Sequence, residues 1–175
     1  MKKILKFLSL FIKVLIGIII LFLWTNSRHE GSHALMAYLE GFQVVDYALL
    51  PGIHEGGGFY FGYVLLPREV SWLTFAGPFI SDLILVLIVS FILFQYRTIR
   101  FFNVFILFGF ISPLIELIYN YQGGFWRMTS DVYRLHKDLP SAIVHLYFIS
   151  LIVGVIFMIQ FFRKRRLEIV NSNDN

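Results

Sequence analysis

The chain has 175 residues, of which 58% are hydrophobic and 18% aromatic, with a mean hydropathy of +0.73 and a formal net charge of +4. That is far too apolar for a water-soluble domain and calls for several bilayer-spanning helices. The chain has no cysteine, which excludes disulfides, iron–sulfur clusters and thiolate zinc sites, so any metal must be held by His, Asp or Glu.

Met1 to Lys13 reads as a short element of its own. Lys2, Lys3, Lys6 and Lys13 fall on one helical arc, and Ile4, Leu5, Phe7, Leu8, Phe11 and Ile12 cover the rest. The pattern fits an amphipathic helix on an anionic membrane surface. It fits equally the first turns of a spanning helix whose lysines snorkel. No small-residue cleavage site follows the apolar run, so the expectation is an uncleaved anchor. Residues 14–166 then read as a single transmembrane domain, and residues 167–175 as a polar tail.

Val14 to Trp24 is wholly apolar, no Pro interrupts the chain from there to Glu40, and Gly41 supplies a stop. One helix from about Val14 to Leu39, about 26 residues, spans a bilayer with some tilt. A break at Thr25-Asn26-Ser27, with Ser27 capping a second helix, is the alternative. Either way the segment carries Arg28-His29-Glu30-Gly31-Ser32-His33. Residues four apart share a helix face, so His29 and His33 can place two imidazole nitrogens on one ion. Glu30 sits beside the first, where a carboxylate can take a proton from a water on the metal. That is the division of labour in a zinc peptidase. The five-letter pattern also arises by chance, as two surface histidines and a solvated Glu. Its setting among membrane spans, where ionisable groups are costly and usually functional, favours the metal site.

From Gly41 to Leu66 the character changes. Residues 42–50 and 59–66 are rich in β-branched and aromatic types, with Pro51-Gly52 and Gly56-Gly57-Gly58 between them. This reads as two short strands around a turn-rich loop. Its edge could accept an extended peptide as an added strand, or its aromatics could simply anchor the loop in the membrane interface.

Trp72 to Tyr96 is the second span, opening with Ala76-Gly77-Pro78. Its small residues allow close helix contact, and the Pro can free a backbone carbonyl toward the site. Asp82 lies about midway and needs a partner or a water-filled face. Arg97 and Arg100 bracket a tight turn into the third span, Phe101 to Tyr121, where Ser112-Pro113 predicts a kink and Glu116 and Asn120 follow. Glu116 could pair with Arg127 or Arg134. A polar loop, Gln122 to Leu139, contains Asp131, His136 and Asp138, and Asp138 can cap the last span, Leu139 to Phe162. His145 lies near the start of that span, and Arg163-Lys164-Arg165-Arg166 closes it.

The fold class is therefore an all-α polytopic membrane protein of about four transmembrane helices, with a short β-hairpin-like loop between the first two. An even number of spans puts both termini on one side, and the Lys/Arg distribution makes that side cytoplasmic. The basic residues cluster at membrane edges, which gives no reason to expect nucleic acid; the lipid bilayer is the partner. His29, His33, Glu116, Asp131, His136 and His145 then fall toward the outer half. Catalytic zinc usually has three protein ligands and one open position. The candidates for the third ligand are Asp131, Glu116, His136 and His145.

The residues His29-Glu30-Gly31-Ser32-His33-Ala34-Leu35, Gly41 ending that helix, Ala76-Gly77-Pro78, and Ser130-Asp131 before the last span together resemble the site-2 protease family of intramembrane zinc metallopeptidases. The likeness is greatest to its small, divergent bacterial branch. The resemblance implies a metallopeptidase-like domain with Zn2+ held by His29, His33 and Asp131. It implies Glu30 as general base, a membrane-protein substrate with a transmembrane segment, and the bacterial cytoplasmic membrane as location. Glu116, Asn120, Asp82 and His145 remain as substrate-binding or supporting candidates. Two features of the family are missing: the Asn-Pro-x-x-Asp-Gly form around the third ligand, and an Asn shortly after Gly-Pro, where Ser81 and Asp82 stand. A non-catalytic membrane protein that keeps the fold to bind other spans is the competing function. A lipid-modifying di-metal enzyme would generally need more ligands than five histidines supply.

Overall fold

The computed structural model describes residues 2–53, 57–96 and 100–173. Gly56 of the glycine-rich turn, Arg97 between the second and third spans, and the side chains of Lys2 and Lys3 lie outside the described residues. Among the described residues, four helices are long and apolar enough to cross a membrane: Ile4–Leu39, Trp72–Gln95, Phe102–Gly123 and Ser141–Ile169. The protein is an all-α polytopic membrane protein.

The first helix, α1 (Lys2–Leu39), is continuous for 38 residues. At about 1.5 Å per residue it is ~57 Å long, well beyond a hydrocarbon core of about 30 Å. The lysine-bearing start is continuous with the rest of α1, with no joint between them. Nor does α1 break at Thr25-Asn26-Ser27; Thr25 and Asn26 are used sideways. Thr25 Oγ1 donates to Leu21 O at 2.9 Å and lies 2.6 Å from Ser112 Oγ. Asn26 Nδ2 donates to Leu49 O and Phe61 O at 3.0 and 3.1 Å. The helix ends where Gly41 turns left-handed at φ +85°, with Phe42 N–H on Ala37 O and Gly41 N–H on Tyr38 O. This double bond pattern closes a helix on a residue that tolerates positive φ.

A pinched hairpin follows. Strand β1 (Asp46–Ala48) pairs antiparallel with β4 (Tyr63–Leu65), and β2 (Gly52–Ile53) with β3 (Phe59–Tyr60). Asn26 holds the hairpin at its waist, between the two ladders. At its base, Tyr63 Oη donates to Asp46 Oδ2 at 2.6 Å, and that bond raises the phenol to about 12.

Helix α2 (Trp72–Gln95) starts on the Ser71 cap, whose Oγ accepts from Leu73 N–H at 3.0 Å. Glu40, just past α1, accepts from Ser71 N–H and Oγ, both at 2.9 Å, and from Thr74 Oγ1 at 3.0 Å. This ties the end of one span to the start of the next. Gly77 brings α2 against α1: a Cβ there would fall 2.9 Å from Ser32 O. Only a residue without a side chain permits that crossing.

The third span comprises α3 (Phe102–Ile106), a π-helical turn (Leu107–Ile111) and α4 (Ser112–Gly123). The expected irregularity at Ser112-Pro113 takes the form of this widened turn, directly before the proline. The segment read as a polar loop contains a two-turn helix, α5 (Asp131–Asp138), capped by Ser130, whose Oγ accepts from Tyr133 N–H at 3.2 Å. Asp138 closes α5 and does not cap the last span. Helix α6 (Ser141–Asn173) begins after Pro140 and carries helix through the segment read as a tail, as far as Asn173.

Two apolar clusters hold the bundle. One joins Val86, Val89, Leu93, Ile106, Phe110, Val155 and Phe162. The other joins Phe75, Phe79, Leu117, Val144 and Phe148 to Val132 and Leu135 of α5. Burying Val132 and Leu135 is worth roughly 1.5–3 kcal/mol each. The amphipathic pattern of α5 therefore fixes a helix outside the spans against the bundle, and the residue opening α5 is Asp131.

Candidate metal centre

His29 and His33 stand one turn apart on α1, with rings 4.9 Å apart at 83°. Their Nε2 atoms are 3.3 Å from each other, and Asp131 Oδ2 is 3.2 Å from His29 Nε2 and 3.3 Å from His33 Nε2. A tetrahedral ion bonded at about 2.0–2.1 Å separates its donors by about 3.3–3.4 Å. The three donor atoms already have that spacing.

The far side of each ring shows which nitrogen is free. His33 Nδ1 lies 2.8 Å from Thr74 O, an acceptor only, so Nδ1 carries the proton and donates it. Thr74 O is available because Pro78, four residues on, has no N–H to give it. The proline thus frees the carbonyl that orients a site histidine. His29 Nδ1 lies 2.7 Å from Glu116 Oε1. With each imidazole neutral and its proton on Nδ1, two Nε2 lone pairs and a carboxylate oxygen face one another. A cation is what such a donor set fits.

The charges around it agree. Arg28 Nη2 lies 2.5 Å from Glu116 Oε2 and 2.6 Å from Asp82 Oδ1, while Nη1 donates to Ser81 Oγ at 3.3 Å. The contact to Asp82 is an ion pair without hydrogen-bond alignment, and Asp82 is fully buried. Around the single guanidinium and the donor triangle lie four carboxyl groups, those of Glu30, Asp82, Glu116 and Asp131, which make the cluster acidic.

Of the four candidate third ligands, Asp131 alone has an oxygen near both Nε2 atoms. Glu116 takes the opposite edge of His29, and its cationic partner is Arg28 instead of Arg127 or Arg134. Those two arginines lie over the rings of Tyr119 and Phe75, at 4.4 and 4.7 Å. His136 and His145 stand together elsewhere, rings 4.8 Å apart, with His145 Nδ1 3.0 Å from Tyr121 Oη. Asn120 Nδ2 donates to Glu116 O at 3.1 Å. Glu30 is half-buried and lines, with His29, His33, Asp131 and Asn120, a cavity of about 940 Å3. One wall of that cavity is the hairpin from Tyr60 to Leu66.

Reading the sequence overlooked Arg28. The signal was present: Asp82 and Glu116 both needed a cation within the spans, and Arg28 is the basic residue nearest mid-membrane in the first helix.

The fold and the site define a polytopic helical membrane protein with a convergent His-His-Asp donor set beside a free-standing glutamate. Comparison with protein-family models, with curated proteins and with solved structures finds no match for the chain.

Proposed function

We propose that the protein is a membrane-embedded zinc metalloendopeptidase that cleaves peptide bonds in or near transmembrane segments of membrane proteins. The observation that carries this is the 3.2–3.3 Å triangle of His29 Nε2, His33 Nε2 and Asp131 Oδ2 beside Glu30 in a large cavity. Bound there, Zn2+ would supply a Lewis acid for a peptide carbonyl and an acidified water. Glu30 holds the proton taken from the water and passes it to the leaving nitrogen. His29, His33 and Asp131 keep their donor atoms converged, and Phe75 and Phe79 cover the rings from the bundle side.

A spanning substrate satisfies its backbone within its own helix, so it must unwind locally before a carbonyl is exposed. The hairpin offers such an unwound strand a partner, since Tyr60 to Leu66 border the same cavity as Glu30. The deciding experiment is zinc stoichiometry of the purified chain and of His29→Ala, together with cleavage of model transmembrane peptides. One zinc per chain, lost in the variant, with cleavage that follows the metal, is the expected result. Zinc without cleavage of any peptide would instead favour a binding protein on the same fold.

Pro78→Ala is expected to weaken zinc binding about 10-fold, the low end of what an outer hydrogen-bond partner contributes. The new N–H at position 78 would compete with His33 for Thr74 O, while the helix itself should gain stability. Competition with a chromophoric chelator measures the first effect and thermal unfolding the second.

The proposed location is the cytoplasmic membrane of a bacterium with both termini inside. Lys6, Lys13 and the Arg163 to Arg166 cluster lie toward the ends of α1 and α6 remote from the donor set. Reporter fusions to the C-terminus and within residues 122–130 should report opposite sides. Two cytoplasmic signals would overturn the topology.

A further inference from the structure

We infer that Glu116 is a positioning residue: clamped by Arg28, it holds His29 in the tautomer and orientation that leave Nε2 free for a cation. The inference rests on reading His29, His33 and Asp131 as a metal site, and it assigns a task to the charged cluster behind that site.

Each Glu116 oxygen has its own partner. Oε1 lies 2.7 Å from His29 Nδ1, and Oε2 lies 2.5 Å from Arg28 Nη2. One carboxylate on α4 therefore grips two consecutive residues of α1, and it is only 5% exposed. Arg28 is gripped in turn from α2, by Asp82 Oδ1 at 2.6 Å and Ser81 Oγ at 3.3 Å. Three spans meet at one guanidinium, so Glu116 has little freedom to turn away from His29. The guanidinium also keeps an ionised acceptor tolerable in a buried place.

An imidazole without a partner at Nδ1 can flip and offer either nitrogen. A carboxylate at Nδ1 fixes the ring and makes Nε2 a stronger donor. Glu116 cannot itself be a ligand in this arrangement, because it faces the ring edge opposite to Asp131. The two histidines are held differently: His33 by the neutral Thr74 carbonyl, His29 by a charged side chain. Only the second acceptor can be removed by a side-chain substitution.

The test uses the full chain in lipid nanodiscs. Glu116→Gln keeps the shape and leaves Arg28 its Asp82 partner, so no guanidinium is stranded. The amide oxygen can still accept from Nδ1–H but lacks the charge that strengthens Nε2, so the zinc dissociation constant, from chelator competition, should rise about 10-fold, the low end of what changing an outer partner contributes. In parallel, nitrogen-15 NMR of histidine-labelled wild-type protein, assigned against His29→Ala, should show His29 protonated at Nδ1 and unprotonated at Nε2. A residue with a merely structural role would lower the melting temperature without changing that tautomer or the zinc affinity. A Glu116→Gln affinity within about two-fold of wild type, outside the ~10–100-fold range, would overturn the inference. So would wild-type His29 that carries its proton on Nε2. Should Glu116→Gln fail to fold, the wild-type spectrum decides alone. Wild-type chain that binds no zinc would remove the metal reading itself, whereas normal zinc with an indifferent Glu116→Gln removes only the role of Glu116.

Discussion

Glu30→Gln is expected to slow peptide cleavage by about 10²–10⁴-fold, the usual contribution of a positioned acid–base group, while zinc remains stoichiometric. The substitution preserves volume and polarity but cannot take up a proton. Glu30 lines the cavity beside the donors, and its carboxylate is not among the three atoms that converge. Metal content should therefore be insensitive to the change, and turnover should not. The measurement is a single-turnover rate on a transmembrane peptide, set beside the metal content of the same sample. Cleavage at the wild-type rate would remove Glu30 from the proton-transfer role.

Asp131→Ala is expected to strip the metal altogether on dialysis, a larger loss than the roughly 10–100-fold that an outer partner contributes. Without Oδ2 the donor set falls to two imidazoles, too few for a catalytic zinc site. Glu116→Ala should retain metal more weakly, since it removes the acceptor behind His29 and no converging atom. Zinc content of both variants, after their folding is confirmed, gives the ranking. Full zinc in Asp131→Ala and depleted zinc in Glu116→Ala would reverse the two assignments.

Much of this architecture was legible before any coordinates. Four apolar runs announce four spans because a bilayer needs unbroken hydrophobic length, and the Gly/Pro punctuation between residues 41 and 66 announces a hairpin. The separation of Pro78 from Thr74 even predicts a freed carbonyl, although not that His33 takes it. What escaped depends on relations between helices. A spacing of four reports a shared face within α1, but nothing local says that α4 turns Glu116 toward Arg28. Helix α5 was missed because its eight residues are few and polar on average. Its apolar contribution is little more than Val132 and Leu135, which sit one turn apart and make sense only once the bundle they pack on is known. The polar trio at Thr25-Asn26-Ser27 left a helix break open as an alternative for the same reason. Thr25 reaches the third span and Asn26 the hairpin, and that use is invisible along α1.

The chain distance across the donor triangle has a further consequence. His29 and Asp131 are 102 residues apart in a chain of 175. During synthesis the first span, with its two imidazoles, enters the bilayer long before α5 exists. The third donor becomes available only after the hairpin, α2 and the whole third span have been threaded and residues 124–130 have turned back toward α1. A nascent or truncated chain thus holds two histidines and a glutamate but no complete set of donors. Assembly of this centre is a late event of biogenesis, and a full complement of donors certifies that at least three spans have been inserted.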